Sequence, residues 1–134
     1  MCVKQAVSVL VQDGKAVPVC PEVLGGLPIP RAPAEMQGGD GMAVLEGRAR
    51  VVNSRGEDVT ENYVAGAKAA LAIALQAGCT KAILKARSPS CGAGVVYDGT
   101  FTGSRTAGDG VLAALLRKHG FEVVADDEVT ALAL

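Results

Sequence analysis

Apolar and polar positions along the 134-residue chain alternate between the spacing typical of helices and that typical of strands. Apolar residues at helical spacing predict an opening helix over residues 3–11, which ends before Gly14. The same spacing predicts a helix from Asp58, which begins a capping box, to Gly78, and another over residues 111–119. Short apolar runs predict buried strands at residues 16–19, 81–85 and 121–124.

The other segments are shorter or richer in glycine. They are predicted as extended pieces at 49–52, 95–97 and 100–101, Gly-rich loops at 32–41 and 103–110, and a last helix over 126–134. Alternation of helices and strands predicts the α/β class, with right-handed crossovers, a mainly parallel sheet and helices on both faces in a Rossmann-like or flavodoxin-like arrangement. We expect a single such domain over residues 1–134.

Composition narrows the classes of function. The chain is 49% hydrophobic and 20% charged with a formal net charge of −1, which excludes a disordered chain and gives no basic excess for nucleic acid. Aromatic residues make up 3%, so platforms for stacking bases are scarce. No apolar run reaches membrane length, and no signal peptide is recognisable, so we expect a cytoplasmic protein without a membrane partner. Its four cysteines should then be reduced or metal-bound.

The first candidate site is the stretch 18–31, which contains four prolines and two adjacent glycines. Prolines restrict the backbone on both sides, so the predicted strand should end in a stiff loop without regular structure until about Arg31. This loop presents the thiol of Cys20 and, two residues later, the carboxylate of Glu22. If Glu22 is structural rather than catalytic, Arg31 is the residue with which it would pair.

A second stretch of the same kind follows the strand predicted at 81–85. It contains Ser88, Ser90 and Cys91 around a proline. Ligands bind at the carboxyl ends of strands in parallel sheets, so we expect Cys20 and Cys91 to converge on one site. Thiols with neighbouring hydroxyls and a carboxylate suit either a metal cluster or a nucleophilic cysteine.

The spacing of the cysteines and the position of the one histidine limit these alternatives. Cys20 and Cys91 have no CxxC companion, which excludes a zinc ribbon or a ferredoxin. We interpret Cys79 as a packing residue. His119 ends a predicted helix, where a cation is favourable, and this gives a Cys–His dyad little support.

Three stretches of the chain, 18–31, 88–92 and 97–101, together resemble the family of iron–sulfur-dependent thiouracil desulfidases, long known as a domain of unknown function. The resemblance implies an α/β domain that holds a 4Fe–4S cluster by three cysteines, with one open iron that captures the sulfur of a thiolated uracil. It implies cluster ligation by Cys20 and Cys91 and a catalytic carboxylate at Glu22. The serine that helps to position a water is expected at Ser88, with Ser90 as the second choice.

The chain departs from this family at its start, where relatives have a further strand and a loop with the first cluster cysteine. Cys2 lies ahead of the first predicted helix, but it does not match that motif. We expect the chain to be truncated, lacking the family's first strand and binding a cluster poorly; the alternative is that Cys2 is the third ligand.

The resemblance implies a small thiolated pyrimidine base or nucleotide as the substrate, and the low positive charge does not favour tRNA. Two other functions stay open from the residues themselves. One is a non-catalytic module that binds metals or thiols, including an inactive homologue, and the other is an enzyme with a cysteine nucleophile.

Overall fold

The computed structural model describes residues 8–12 and 15–125 of the chain. In this part, strands and helices follow one another in the order β1 (Ser8–Gln12), β2 (Lys15–Val19), α1 (Pro21–Leu24), β3 (Ala34–Gln37), α2 (Gly41–Leu45), β4 (Arg50–Asn53), α3 (Thr60–Gln76), β5 (Lys81–Leu84), β6 (Val95–Tyr97), β7 (Arg105–Ala107), α4 (Val111–Lys118) and β8 (Glu122–Ala125). The α/β class is confirmed. The predicted helix over residues 126–134 and Cys2 lie outside the described residues.

The largest sheet has four strands in the order β2-β1-β5-β8. Strand β1 is antiparallel to both of its neighbours, and β5 and β8 are parallel. The prediction of a mainly parallel sheet is therefore wrong for the described strands. Because β2 and β5 are both antiparallel to β1, they run in the same direction, and their carboxyl ends lie at one edge of the sheet.

The opening helix predicted over residues 3–11 is wrong where the structure describes it, since residues 8–12 form strand β1. This strand pairs with β2 in a register that places Ser8 opposite Val19 and Gln12 opposite Lys15. Asp13 and Gly14 separate the two strands in sequence, and an Asp-Gly pair between apolar runs is a strong hairpin signal. Pairing on both sides of β1 outweighs the helical spacing of its apolar residues.

Regular structure also occurs where the sequence predicted loops. Pro21 occupies the first turn of α1, a position in which its missing N–H is no loss, so this proline starts a helix. The excursion predicted over 32–41 contains β3, which is antiparallel to β4, and leads into α2. The second predicted loop contains β7, which pairs with β6, whereas residues 100–101 are not part of a strand.

The helices predicted from Asp58 and over 111–119, and the strands predicted at 16–19, 81–85 and 121–124, are confirmed to within a few residues. Helix α3 begins at Thr60, whose backbone N–H donates to Asp58 Oδ1 at 2.9 Å, so Asp58 caps the helix from one position further out than expected. Its alanines Ala67, Ala70 and Ala74 are fully buried, which lets the helix lie close to α1 and α4. No helix in residues 8–12 and 15–125 is long and apolar enough to cross a membrane.

Two glycines allow α1 to approach α3 closely. A Cβ on Gly66 of α3 would lie 1.9 Å from the carbonyl oxygen of Pro21, and a Cβ on Gly25 would lie 1.9 Å from that of Asn62. The Asn62 side chain donates to the Gly25 carbonyl at 2.9 Å and joins the two helices. The position of α1, and of the residues at its start, therefore depends on backbone contact with α3.

We predict that Gly66→Ala lowers the melting temperature by several degrees. Alanine favours a helix by about 1 kcal/mol over glycine, but overpacking against Pro21 costs about 1–3 kcal/mol and pushes α1 outward. Thermal unfolding followed by circular dichroism measures the change. Ala65→Ser, on the exposed side of the same helix, is the control and should differ little from the wild type. A Gly66→Ala protein as stable as the wild type would show that α1 is free to shift.

Candidate functional site

The Cys20–Glu22 segment turns from strand β2 directly into helix α1. Cys20 has an extended backbone and precedes the first residue of the helix. Its carbonyl accepts from Leu24 N at 3.0 Å, which closes the single turn. The turn directs Glu22 inward, and that residue is only 8% exposed. A carboxylate is thus held in a buried position two residues after a thiol.

Ser88 joins the two predicted loops. Its hydroxyl donates to Glu22 Oε2 at 3.2 Å, across 66 positions of sequence. The Ser88 hydroxyl oxygen also accepts hydrogen bonds from the backbone N–H groups of Ser90 and Cys91, at 3.0 and 3.2 Å. The Ser88 hydroxyl is therefore oriented by its own turn before it meets the carboxylate.

Backbone hydrogen bonds join the turn that contains Ser88 to the start of α4. The carbonyl of Pro89 accepts from Val111 N at 2.8 Å, and that of Ser90 accepts from Leu112 N at 2.7 Å. The hydroxyl of Ser90, in contrast, is fully buried and has no hydrogen-bond partner among the described residues. It is Ser88, not Ser90, that the structure places against Glu22.

A cationic residue and a phenol also lie next to Glu22. Arg31 Nη2 is 3.9 Å from Glu22 Oε2. Tyr63, on α3, is 4% exposed and faces both side chains. Burial, and then the negative charge of Glu22, raise the pKa of Tyr63 far above its ordinary value, and the neighbouring Arg31 only partly offsets this. Tyr63 is therefore a neutral phenol at physiological pH.

These side chains line a cavity of about 510 Å³. Its charged lining consists of two carboxylates and three cations, which are Glu22, Glu35, Arg31, Lys85 and Arg87. This volume falls within the usual range for small-molecule sites. The pocket can hold a small polar molecule beside the Glu22–Ser88 pair.

The 97–101 motif reaches this cavity through Glu35. One oxygen of Glu35 accepts from Gly99 N at 2.9 Å and from Phe101 N at 3.2 Å, while Tyr97 lines the cavity itself. The predictions from residue patterns did not name Glu35, Tyr63, Lys85 or Arg87 as site residues. The proximity of Glu35 to the proline-rich stretch was the available signal for that residue.

The described cysteines are distributed over both edges of the sheet, and none of them forms a disulfide. Cys20 and Cys91 follow the carboxyl ends of β2 and β5, and Cys91 is buried. Cys79 precedes β5, a strand roughly 10 Å long, and so lies at its opposite end from Cys91. It is part of the hydrophobic core, in agreement with the packing role expected for it.

Cys20 and Cys91 are the described residues that could hold a soft metal or an iron–sulfur cluster, since thiolates are the donors such groups prefer. Within residues 8–12 and 15–125, no three Cys, His, Asp or Glu side chains are grouped so as to hold a metal ion. The third thiolate implied by the family resemblance is therefore not found in this part of the chain.

His119 lies at the end of α4 opposite to the Cys91 turn. It follows the last helical residue, and its Nδ1 is 3.0 Å from the carbonyl oxygen of Leu115. The helix of eight residues separates it from the turn by roughly 12 Å. A Cys91–His119 dyad is not formed.

The sequence and the fold both have counterparts among known proteins. A family model described as 2-thiouracil desulfurase matches residues 1–128. Uncharacterized protein YbbK of Bacillus subtilis (strain 168) is 50% identical over 120 residues, which are 90% of this chain and 80% of that protein. The solved structure of the 4Fe-4S-dependent thiouracil desulfidase TudS matches with a TM-score of 0.74 and 46% identity, over 86% of this chain and 70% of that one.

We predict that Tyr63→Phe changes how stability depends on high pH. In the wild type, the unfolded phenol has a pKa of 10.0, while the folded one has a higher pKa. Above about pH 10 the unfolded state loses a proton that the folded state retains, so this group reduces stability by about 1.4 kcal/mol per pH unit. The Tyr63→Phe variant has no phenol to ionise at this position, so it does not lose stability in this way.

Urea unfolding at about pH 8 and at about pH 11 measures the effect. The stability difference between the two proteins should move in favour of Tyr63→Phe by about 1 kcal/mol at the higher pH. A difference that is constant with pH would show that the phenol ionises normally in the folded protein.

Proposed function

The chain belongs to the 2-thiouracil desulfurase family, and on this premise we propose that it removes sulfur from a thiolated uracil base or nucleotide. The sulfur at the ring carbon is replaced by oxygen from water, so that a thiocarbonyl and water give a carbonyl and hydrogen sulfide without net redox change. The observation that supports this reaction most directly is the hydrogen bond from Ser88 to the buried Glu22 at the wall of the cavity.

We assign Cys20 and Cys91 as ligands of a 4Fe–4S cluster. Of the two other cysteines, Cys2 is the candidate for the third position, because Cys79 precedes β5 at the opposite end of that strand. Donor chemistry supports the assignment, because iron–sulfur clusters are held by thiolates. Position in the fold supports it as well, because both thiols follow strands that end at the same edge of the sheet. When bound, such a cluster supplies a Lewis-acidic iron that attracts the soft sulfur of the substrate.

Glu22 acts as the general base. Ser88 and Arg31 both contact its Oε2, so Oε1 is the oxygen that is available to accept a proton from water. The Ser88 hydroxyl restrains the carboxylate through its hydrogen bond to Oε2. Its one proton and both lone pairs are already used by Glu22, Ser90 N and Cys91 N, so it positions the water through Glu22 rather than by direct contact. Tyr63 stays protonated beside them and does not compete as a base.

The cavity favours a small substrate with a negative substituent. Its three cations exceed its two carboxylates, and one cation is already opposite Glu22. The formal charge of these five side chains is +1 (three minus two), which complements the phosphate of a thiolated uridine monophosphate better than a neutral free base. A net charge of −1 over the whole chain gives no support to binding of tRNA.

We predict that Glu22→Gln abolishes desulfuration but leaves the cluster intact. The amide cannot accept the proton from water, and loss of a general base lowers turnover by roughly 10²-fold or more. Anaerobic reconstitution, a visible absorption spectrum and an assay of sulfide release from thiouracil and from a thiolated uridine monophosphate measure both properties. Normal turnover in this variant would make the carboxylate structural, and a wild-type protein without cluster absorbance would favour the non-catalytic module.

The two serines are predicted to differ in their effects. Ser88→Ala removes the donor to Glu22 and the acceptor for two buried N–H groups, so turnover should fall by roughly 10²-fold and stability by about 1–3 kcal/mol. Ser90→Ala removes a buried hydroxyl that has no hydrogen-bond partner among the described residues, so its melting temperature should equal or exceed that of the wild type. Sulfide release and thermal unfolding test both. The opposite ranking in turnover would assign the catalytic serine to Ser90.

A further inference from the structure

Arg31 is held in place at the end of the proline-rich stretch. Its Nη1 donates to the carbonyl oxygen of Pro28 at 3.3 Å, and its Nη2 is 3.9 Å from Glu22 Oε2. The Arg31 side chain is 25% exposed and that of Glu22 is 10% exposed. Because both groups are largely withdrawn from solvent, their attraction is screened less than that of a surface ion pair.

The neighbouring Tyr63 leaves the positive charge of the Arg31 guanidinium in place. The phenol is buried next to Arg31 and Glu22 and interacts with the Arg31 side chain, but it remains neutral and therefore does not cancel the guanidinium charge. The charge stays available to the carboxylate. Arg31 and Ser88 thus approach the same oxygen of Glu22 from two different loops.

We infer that Arg31 is a positioning residue for desulfuration, which fixes the buried carboxylate of Glu22 so that Oε1 faces the cavity. This inference rests on the base role proposed for Glu22. A buried carboxylate without a counter-charge is unstable and loses its fixed orientation. With only Ser88 as an anchor, the carboxylate could rotate about a single contact, and Oε1 would no longer be held toward the water.

The alternative role for Arg31 is direct substrate binding, because it also lines the cavity. The two roles differ in kinetics. A residue that orients the base affects kcat with little change in KM, whereas a residue that binds substrate in the ground state raises KM. They differ also in stability, since only the first role couples Arg31 to Glu22 in the absence of substrate.

The first test is a double-mutant cycle on thermal unfolding, made with the full chain and without substrate. Arg31→Gln should lower the melting temperature by several degrees in the wild type and by less than half as much in the E22Q background, because contacting residues are coupled. Arg48 and Glu46 form an exposed ion pair and give the matched control, in which R48Q and E46Q should be additive. Additive effects at Arg31 and Glu22 would overturn the inference even if the enzyme were inactive.

The second test is the kinetics of sulfide release by the reconstituted protein. Arg31→Gln should lower kcat by roughly 10²-fold, the typical effect of a misplaced catalytic group, with KM within a few-fold of the wild type. Arg31→Lys keeps the charge but loses the planar fork, so it should recover part of kcat. A rise in KM with kcat unchanged, or no difference between the lysine and glutamine variants, would assign Arg31 to another role. A wild type without turnover contradicts the proposed reaction, and the unfolding cycle then decides the coupling by itself.

Discussion

The site depends on the contact between the Ser88 hydroxyl and the Glu22 carboxylate. The two residues belong to loops that follow different strands, and their hydrogen bond joins those loops at the cavity wall. Since Ser88 Oγ also accepts from Ser90 N and Cys91 N, its proton is directed toward Glu22. A buried carboxylate is unfavourable unless hydrogen bonds and charge compensate for its lost hydration. The position of Glu22 is thus tied to the turn that contains Cys91.

Backbone contacts made possible by small residues keep both loops in place. On one side α1 contacts α3 where Gly25 and Gly66 leave no room for a Cβ. On the other side, a Cβ on Gly110 would lie 2.5 Å from the carbonyl carbon of Ser90, so the second turn is equally close to the start of α4. Helices α3 and α4 also pack against each other. The helices therefore set the relative position of the two loops, and a displacement of either one would alter the Ser88–Glu22 contact.

The sequence predicts the elements that have strong local signals and fails where distant contacts decide. Helix α3 has its apolar spacing, its cap at Asp58 and its stop at Gly78 within the segment itself. Strand β1 is stabilised by pairing with β2 and β5, so its helical spacing was misleading. The strand-end rule and the family resemblance predicted Glu22 and Ser88 as site residues, and the structure brings these two side chains together at the cavity wall. Tyr63 gave no such signal, because at helical spacing it is indistinguishable from an ordinary core residue.

A base for hydrolysis has two requirements that conflict, since it must be fixed and yet reachable by water. Glu22, the proposed base, meets both because it is 8% exposed to solvent overall but lines a cavity of about 510 Å³. The contacts with Ser88 and Arg31 both involve Oε2, so neither of them uses Oε1. A cysteine nucleophile activated by a histidine would need that histidine beside Cys20 or Cys91. His119, the one histidine of the sequence, lies at the far end of α4. Carboxylate-assisted attack of water therefore fits the described residues better than a cysteine nucleophile.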